Sequence, residues 1–188
     1  MQEAELTCIS CSTSFPPPSL NKDLPVCPTC FTNSLEVYRA SITFKPADHI
    51  LDNVYLGPEG AAIDLDYLKA NKIDRIVVAA HHTEARFPLD LEYLKLDIDD
   101  SPTEDLMPHF GPVLAFIQKN PHTNVLIHCA SGISRSATFV IAYVMKAGGM
   151  EYEKAREFVA SKRPCVHPNS GFQKQLERLG EMFNMMMK

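Results

Sequence analysis

The sequence predicts an α/β fold, a central, mostly parallel sheet flanked by helices, preceded by a small N-terminal zinc-binding module. Three observations carry that prediction. After residue 50, short apolar strands alternate with amphipathic helices, the order of a layered α/β domain. Arg75-Ile76-Val77-Val78-Ala79-Ala80 is almost continuously apolar, as in a strand covered on both faces. Four of the six cysteines fall in the first 30 residues, in two Cys-x-x-Cys pairs.

In chain order, the zinc module comes first. Cys8-x-x-Cys11 and Cys27-x-x-Cys30 are separated by 15 residues. Two residues between thiolates let one turn present both sulfurs to one metal. Two such turns complete a tetrahedral zinc shell with no open position, which makes the metal structural. A redox pair is the competing reading. Such a pair sits between a strand and a helix of a larger domain, whereas Pro16-Pro17-Pro18, Pro25 and Pro28 surround these cysteines. Leu6 to Ser14 and Leu24 to Asn33 read as two short arms, a pattern that resembles a zinc ribbon. Leu35, Val37, Ala40, Ile42 and Phe44 read as extended chain leading out of the module. Pro46 marks a boundary, giving a module with linker over 1–45 and a second domain over 46–188.

In the second domain, Val54-Tyr55-Leu56 reads as a strand stopped by Gly57-Pro58, and Asp64 to Lys72 as a short helix. Arg75 to Ala80 and Tyr93 to Leu96 are the next strands. Leu106, Phe110, Val113, Leu114 and Ile117 have helical spacing, with Pro112 predicting a kink or a late start. Asn124 to Cys129 is the fourth strand. Ser136 to Lys146 is apolar almost all round, which predicts a buried central helix ended by Gly148-Gly149. Tyr152, Ala155 and Val159 mark one face of a helix stopped before Pro164. Phe172, Leu176, Leu179 and Phe183 mark one face of the last, capped by Asn169 and Ser170.

Composition narrows the class. With 188 residues and 45% hydrophobic content, the chain can bury a real core. The longest nearly apolar run, Ala137 to Met145, is nine residues, and a membrane-spanning helix needs about 20. The start Met1-Gln2-Glu3-Ala4-Glu5 lacks the basic-then-apolar order of a signal peptide. Gln2 and the Met-Met-Met-Lys ending argue against lipid attachment. A net charge of −5 weighs against general nucleic-acid or anionic-membrane binding. A cytosolic or nuclear protein is expected.

The chemistry is concentrated in His128-Cys129-Ala130-Ser131-Gly132-Ile133-Ser134-Arg135-Ser136, between an apolar strand and an apolar helix. Such a loop aims backbone N–H groups at one point, and the positive end of the helix dipole adds to them, making an anion site. Ala130, Ser131, Gly132, Ile133 and Ser134 would line it. Gly132 permits a conformation that a Cβ would hinder. Arg135 can place a planar fork of donors against two phosphate oxygens. The same field favours a thiolate at Cys129, a nucleophile able to attack the bound phosphorus. The Ser136 hydroxyl can donate to the departing thiolate when the cysteinyl phosphate is hydrolysed. His128 is read as orienting the loop, not as a base.

These residues resemble the dual-specificity branch of the cysteine-dependent protein phosphatases, whose motif is His-Cys-x5-Arg-Ser/Thr. The resemblance runs from about Ile50 to about Leu179. It includes Leu51-Asp52-Asn53-Val54-Tyr55-Leu56-Gly57, Asp100-Ser101-Pro102-Thr103-Glu104-Asp105-Leu106, Ala142-Tyr143-Val144-Met145 and Pro168-Asn169-Ser170-Gly171-Phe172-Gln173-Lys174-Gln175-Leu176. Ser131 stands where the family usually has Ala. Members that have lost activity typically lack the Cys or the Arg, and this chain keeps both. The resemblance implies the protein phosphatase fold, with no cofactor needed for catalysis. It also implies a phosphorylated protein substrate, with phosphoserine and phosphothreonine admitted alongside phosphotyrosine by a shallow pocket. A zinc module before the catalytic domain is uncommon in the family, so its partner is unknown. Competing readings are a phosphoinositide or RNA 5′-triphosphate phosphatase, and a phosphoprotein-binding scaffold. Uncharged Ala130, Ser131, Ile133 and Ser134 weigh against the phosphoinositide, the net charge of −5 against the RNA 5′-triphosphate, and intact Cys129, Arg135 and Asp100 against the binding scaffold.

A leaving alkoxide or phenolate needs a proton, and a carboxylic acid near the nucleophile can supply it. Asp97, Asp99 and Asp100 follow the strand Tyr93 to Leu96. The family-like Asp100-Ser-Pro-Thr-Glu-Asp-Leu stretch implies Asp100 as the acid, with Asp99 the runner-up. Cys165 is expected to be a small buried packing residue, the alternative being a disulfide with Cys129. His81-His82 is expected on a solvated loop, not as a metal pair.

Overall fold

Strand alternation divides the core of the protein between the two faces of one sheet. The computed structural model describes residues 6–7, 14–15, 42–81 and 83–186. The chain separates into two units, Met1–Thr43 and Phe44–Lys188. In the first, strand β1 (Leu6–Thr7) pairs antiparallel with β2 (Ser14–Phe15), Leu6 opposite Phe15 and Thr7 opposite Ser14. Cys8, Cys11, Cys27 and Cys30 lie outside the described residues, as does the part of the expected extended run before residue 42.

The second unit contains β3 (Asp48–Leu51), β4 (Val54–Pro58), β5 (Ile73–Ala79), β6 (Glu92–Leu96) and β7 (Asn124–Cys129). Its helices are α1 (Leu65–Ala70), α2 (Met107–Gln118), α3 (Arg135–Gly148), α4 (Tyr152–Lys162) and α5 (Ser170–Met186). The sheet order is β3-β4-β7-β5-β6. Strand β3 is antiparallel to β4, and every other pairing is parallel. After β4 the chain goes to β5 and β6, then returns to place β7 between β4 and β5. That reversal makes the C-terminal end of β7 a topological switch point, where open α/β sheets bind ligands.

On β7, Val125, Ile127 and Cys129 join the larger core cluster with α3, while Leu126 joins the smaller one with Leu68 of α1. On β5, Val77 and Ala79 take the first side, Ile76 and Val78 the second. Ser136 to Met145 of α3 are all buried, as the all-round apolar sequence predicts. Burying each large aliphatic or aromatic side chain there contributes about 1.5–3 kcal/mol. The helix ends at Gly149, which has φ +58° and whose N–H caps Met145 O.

Two expectations are corrected. Strand β4 does not stop at Gly57-Pro58 but runs through it, pairing Gly57 with His128 and Pro58 with Cys129. Pro58 is the last residue of that strand. Of the kink or late start expected at Pro112, the late start is excluded: helix α2 begins at Met107, with Pro112 inside it on the exposed side. Gln175 accepts from Leu106 N–H at 2.7 Å and the Asp105 carboxylate from Met107 N–H at 3.0 Å. The first donors are therefore satisfied without waiting for Pro112.

Arg75, read from sequence only as a strand residue, is fully buried. Its guanidinium donates to Phe116 O (2.6 Å), Ile117 O (3.1 Å), Asn120 O (2.6 Å) and Thr123 O (2.9 Å). These carbonyls end α2 and lead into β7, so the cation also meets the negative end of a helix dipole. Leaving a buried acceptor unsatisfied typically costs about 1–3 kcal/mol. Arg75→Met is expected to lose stability on that scale, read as a fall in the urea midpoint with the slope unchanged. A loss below about 1 kcal/mol, the net worth of one ordinary hydrogen bond, would show that Asn53, which donates to three of the same carbonyls, suffices.

Candidate active site

Cys129 is the last residue of β7, in the middle of the sheet, and Arg135 is the first residue of α3. The five residues between them form a loop whose carbonyls are tied outward. Ala130 O accepts from Glu59 N–H at 3.1 Å and Ile133 O from His167 N–H at 2.8 Å. Ser131 O and Gly132 O accept from the Arg163 guanidinium at 2.9 and 2.8 Å. Trans peptide planes put each N–H opposite its carbonyl, so these amides face the inner side of the loop, where the Gly132 N–H reaches Cys129 Sγ. Gly132 has φ +69°, and a Cβ there would meet Gly57 O at 2.5 Å. No other residue type fits without displacing β4.

Cys129 is buried. Its Sγ accepts from Gly132 N–H at 3.3 Å and from the Ser136 hydroxyl at 3.2 Å. Burial pushes the thiol pKa up, but it is outweighed. The Ser136 hydroxyl and N–H, the Gly132 N–H and the Arg135 charge together hold it below the ordinary thiol value. The neighbouring His128 points to the opposite face of the sheet by strand alternation. Burial holds its pKa down at about 4, the Cys129 backbone opposes that and the Arg86 charge adds to it. At neutral pH it is uncharged and turned away from the sulfur, in keeping with an orienting role.

The Arg135 guanidinium is fixed by a hydrogen bond from Nη1 to Ile98 O at 3.3 Å. Its Nε–H is buried with no hydrogen-bond partner among the described residues. An unpaired buried donor costs about 1–3 kcal/mol, a cost that a bound oxyanion would remove.

Of the three acidic residues, only Asp100 reaches the loop. Its Oδ1 accepts from the Ser134 hydroxyl at 2.7 Å and from Asn169 Nδ2 at 2.9 Å. Its Oδ2 lies 3.9 Å from Arg135 Nε. Asp97 and Asp99 instead pair with the two ring nitrogens of His81, Asp99 at 3.2 Å from Nε2. Ser134, expected in the phosphate loop's lining, thus directs its hydroxyl to Asp100. Asn169 caps α5, accepting from Gly171 and Phe172 N–H groups, and its amide nitrogen is what holds Asp100. A Cβ on Gly171 would fall 1.9 Å from Pro102 O, so the absence of a side chain lets α5 close on the Asp100 loop. Gln175 secures the same loop by donating to Glu104 O at 2.8 Å.

Sequence reasoning missed Arg163 and Asp48, whose carboxylate accepts from Arg163 Nη1 at 2.8 Å. The one available signal was Arg163-Pro164 ending a helical pattern beside Cys165. Cys165 itself is a correction: it is exposed, not a buried packing residue, because it lies on the turn between α4 and α5. Among the described residues, no His/Cys/Asp/Glu group forms a metal cluster. No described helix is long and apolar enough to cross a membrane.

Comparison with known proteins gives a consistent picture. A probable rhodanese domain-containing dual specificity protein phosphatase of Dictyostelium discoideum is 41% identical over 134 residues, 70% of this chain and 28% of that protein. Dual specificity protein phosphatase 22-B of Danio rerio is 38% identical over 130 residues, 68% of this chain and 70% of that protein. Among solved structures, the human tyrosine phosphatase-like serine/threonine/tyrosine-interacting protein superposes with a TM-score of 0.71 at 34% identity, covering 73% of this chain and 97% of that one. The chain thus spans well under half the length of the first of these curated relatives, 70% of the second, and nearly all of the solved phosphatase-like chain. The family model "Dual specificity phosphatase, catalytic domain" matches residues 54–182, which hold the whole loop from Cys129 to Ser136, Asp100 and Asn169; the chain belongs to the dual specificity phosphatase family.

Proposed function

We propose that the protein hydrolyses phosphotyrosine and phosphoserine/phosphothreonine in proteins through a cysteinyl-phosphate intermediate. The observation that carries this reading is the placement of the depressed Cys129 thiol, the unpaired buried Nε–H of Arg135 and the Asp100 carboxyl around one loop. A phosphate seated on the loop amides gives its oxygens to those N–H groups and to Arg135. The Cys129 thiolate attacks phosphorus, the bond to the leaving oxygen breaks, and Asp100 delivers a proton to that oxygen. Asp100, now a carboxylate, takes a proton from water as the water attacks the cysteinyl phosphate. Inorganic phosphate leaves, and the Ser136 hydroxyl stabilises the returning thiolate. Oδ1 of Asp100 accepts two hydrogen bonds, which leaves Oδ2, 3.9 Å from Arg135 Nε, as the oxygen that delivers the proton. The protein is expected to turn over p-nitrophenyl phosphate in the presence of a chelator and to be inhibited by vanadate. No turnover by folded, reduced protein would favour a phosphoprotein-binding role instead.

The reading extends to a zinc-ribbon-like module over 1–45, ahead of a catalytic domain over 46–188, in a reducing cytosolic or nuclear compartment. Cys8, Cys11, Cys27 and Cys30 would hold one structural zinc. Two things support this: the doubled spacing, and the β1–β2 pairing of residues that flank the stretch carrying Cys8 and Cys11. Metal analysis is expected to find about one zinc per chain, as for a closed tetrahedral site, and Cys8→Ser to lower it. A zinc content unchanged by Cys8→Ser would rule out this ligand set.

A further inference from the structure

We infer that Arg163, itself held by Asp48, is a positioning residue that aims the amides of the Cys129 loop at the sulfur and at bound phosphate; this rests on the phosphatase reading above. Arg163 stands where α4 ends, with extended backbone (φ −134°, ψ 92°). All three sides of its guanidinium are in use. Nε donates to Gly132 O at 2.8 Å, Nη2 to Ser131 O at 2.9 Å and Nη1 to Asp48 Oδ2 at 2.8 Å. The Arg163 side chain is only 12% exposed.

The consequence follows from peptide planarity. Ser131 O and Gly132 N–H belong to one rigid plane and point opposite ways. Arg163 holds the oxygen, and the N–H on the far side donates to Cys129 Sγ at 3.3 Å. The next plane carries Gly132 O and Ile133 N–H, and Arg163 holds it by the same edge. One planar cation therefore fixes two consecutive amides with a rigid fork of donors, a pre-organised geometry that a rotatable ammonium lacks. Asp48, the first residue of β3, orients the fork and neutralises its charge. The pair ties an edge strand and a helix end to the back of the loop, in a part of the chain remote from the Cys129–Arg135 motif.

A residue that merely ended α4 would leave the thiolate unaffected, so the test reads the thiolate. In the full-length chain, R163M, R163K and D48N would be compared for alkylation of Cys129 by iodoacetamide as a function of pH, followed by peptide mass spectrometry to separate Cys129 from the other cysteines. Tungstate affinity, and kcat and KM for p-nitrophenyl phosphate, would be measured alongside. The other groups on the sulfur, Ser136 and Arg135, and neutral His128 behind it, are the same in all variants. Loss of the Gly132 N–H from the sulfur is expected to move the R163M alkylation profile to higher pH. Tungstate binding and kcat should weaken, kcat by about 10- to 100-fold, the usual effect of an ångström-scale misplacement. R163K should fall between, and D48N should shift in the same direction by less. A folded R163M protein with wild-type alkylation and tungstate binding overturns the inference. If R163M does not fold, wild-type alkylation profiles in both R163K and D48N overturn it equally. Alkylation needs no turnover, so a wild-type protein inert toward p-nitrophenyl phosphate would defeat the phosphatase reading while leaving the assignment of Arg163 to be judged by the sulfur.

Discussion

Replacing Cys129 by serine is expected to abolish turnover while leaving the phosphate site able to bind. The loop amides and Arg135 do not depend on the sulfur for their orientation: Ala130, Ser131, Gly132 and Ile133 are tied outward by Glu59, Arg163 and His167. Tungstate affinity, and retention of phosphopeptides on the immobilised protein, should therefore survive. Chemistry should not, because a serine hydroxyl at this position stays protonated where the thiol ionises. Loss of a nucleophile in covalent catalysis costs on the order of 10⁴-fold or more in kcat. The wild type should show the matching pH dependence. The Cys129 thiol is held below its ordinary value, so the thiolate persists to lower pH. The acidic limb of kcat/KM should then lie below the range of an unperturbed thiol. Turnover that persists in Cys129→Ser would eliminate the cysteinyl-phosphate intermediate.

Asp100→Asn is expected to show the second largest effect, about 10²–10⁴-fold in kcat, the range of a general acid. The loss should be greatest for phosphoserine, phosphothreonine and phosphotyrosine, whose leaving oxygens need the proton. It should be small for aryl phosphates with good leaving groups, and the basic limb of the pH profile should vanish. Asp99→Asn is the control. Asp99 is paired with His81, not with the loop, so its replacement should leave the leaving-group dependence as in the wild type. If Asp99→Asn instead reproduced the whole pattern while Asp100→Asn stayed near wild type, the assignment of the acid would move by one residue.

Much of the site was legible because its chemistry is contiguous. Cys129, Gly132, Arg135 and Ser136 lie within eight residues, and a strand followed by a helix fixes their relation with no help from the rest of the chain. The all-round apolar pattern of Ala137 to Met145 likewise specified a buried helix behind the loop. The boundaries that failed were those set by partners. Gly57-Pro58 reads locally as a stop, yet β4 continues because β7 is alongside it. Pro112 reads as a kink or a late start, and the late start fails because Gln175 and Asp105 satisfy the first donors of α2 ahead of it.

By itself, the sequence determined the α/β class and set Cys129 and Arg135 at the two ends of a strand-to-helix loop, since each follows from residue type at short spacing. Tertiary structure alone decided which groups hold that loop in shape. Arg163 reaches Ser131 and Gly132 from more than 30 residues away, and Asn169 reaches Asp100 across 69. Arg75 closes the end of α2 across more than 40. Such pairs depend on strand order and helix placement, and no local periodicity encodes them. The different partners of Asp100 and Asp99 have the same cause. Two adjacent carboxylates are equivalent as chemistry, and the folded chain separates them by giving one to Ser134 and Asn169 and the other to His81.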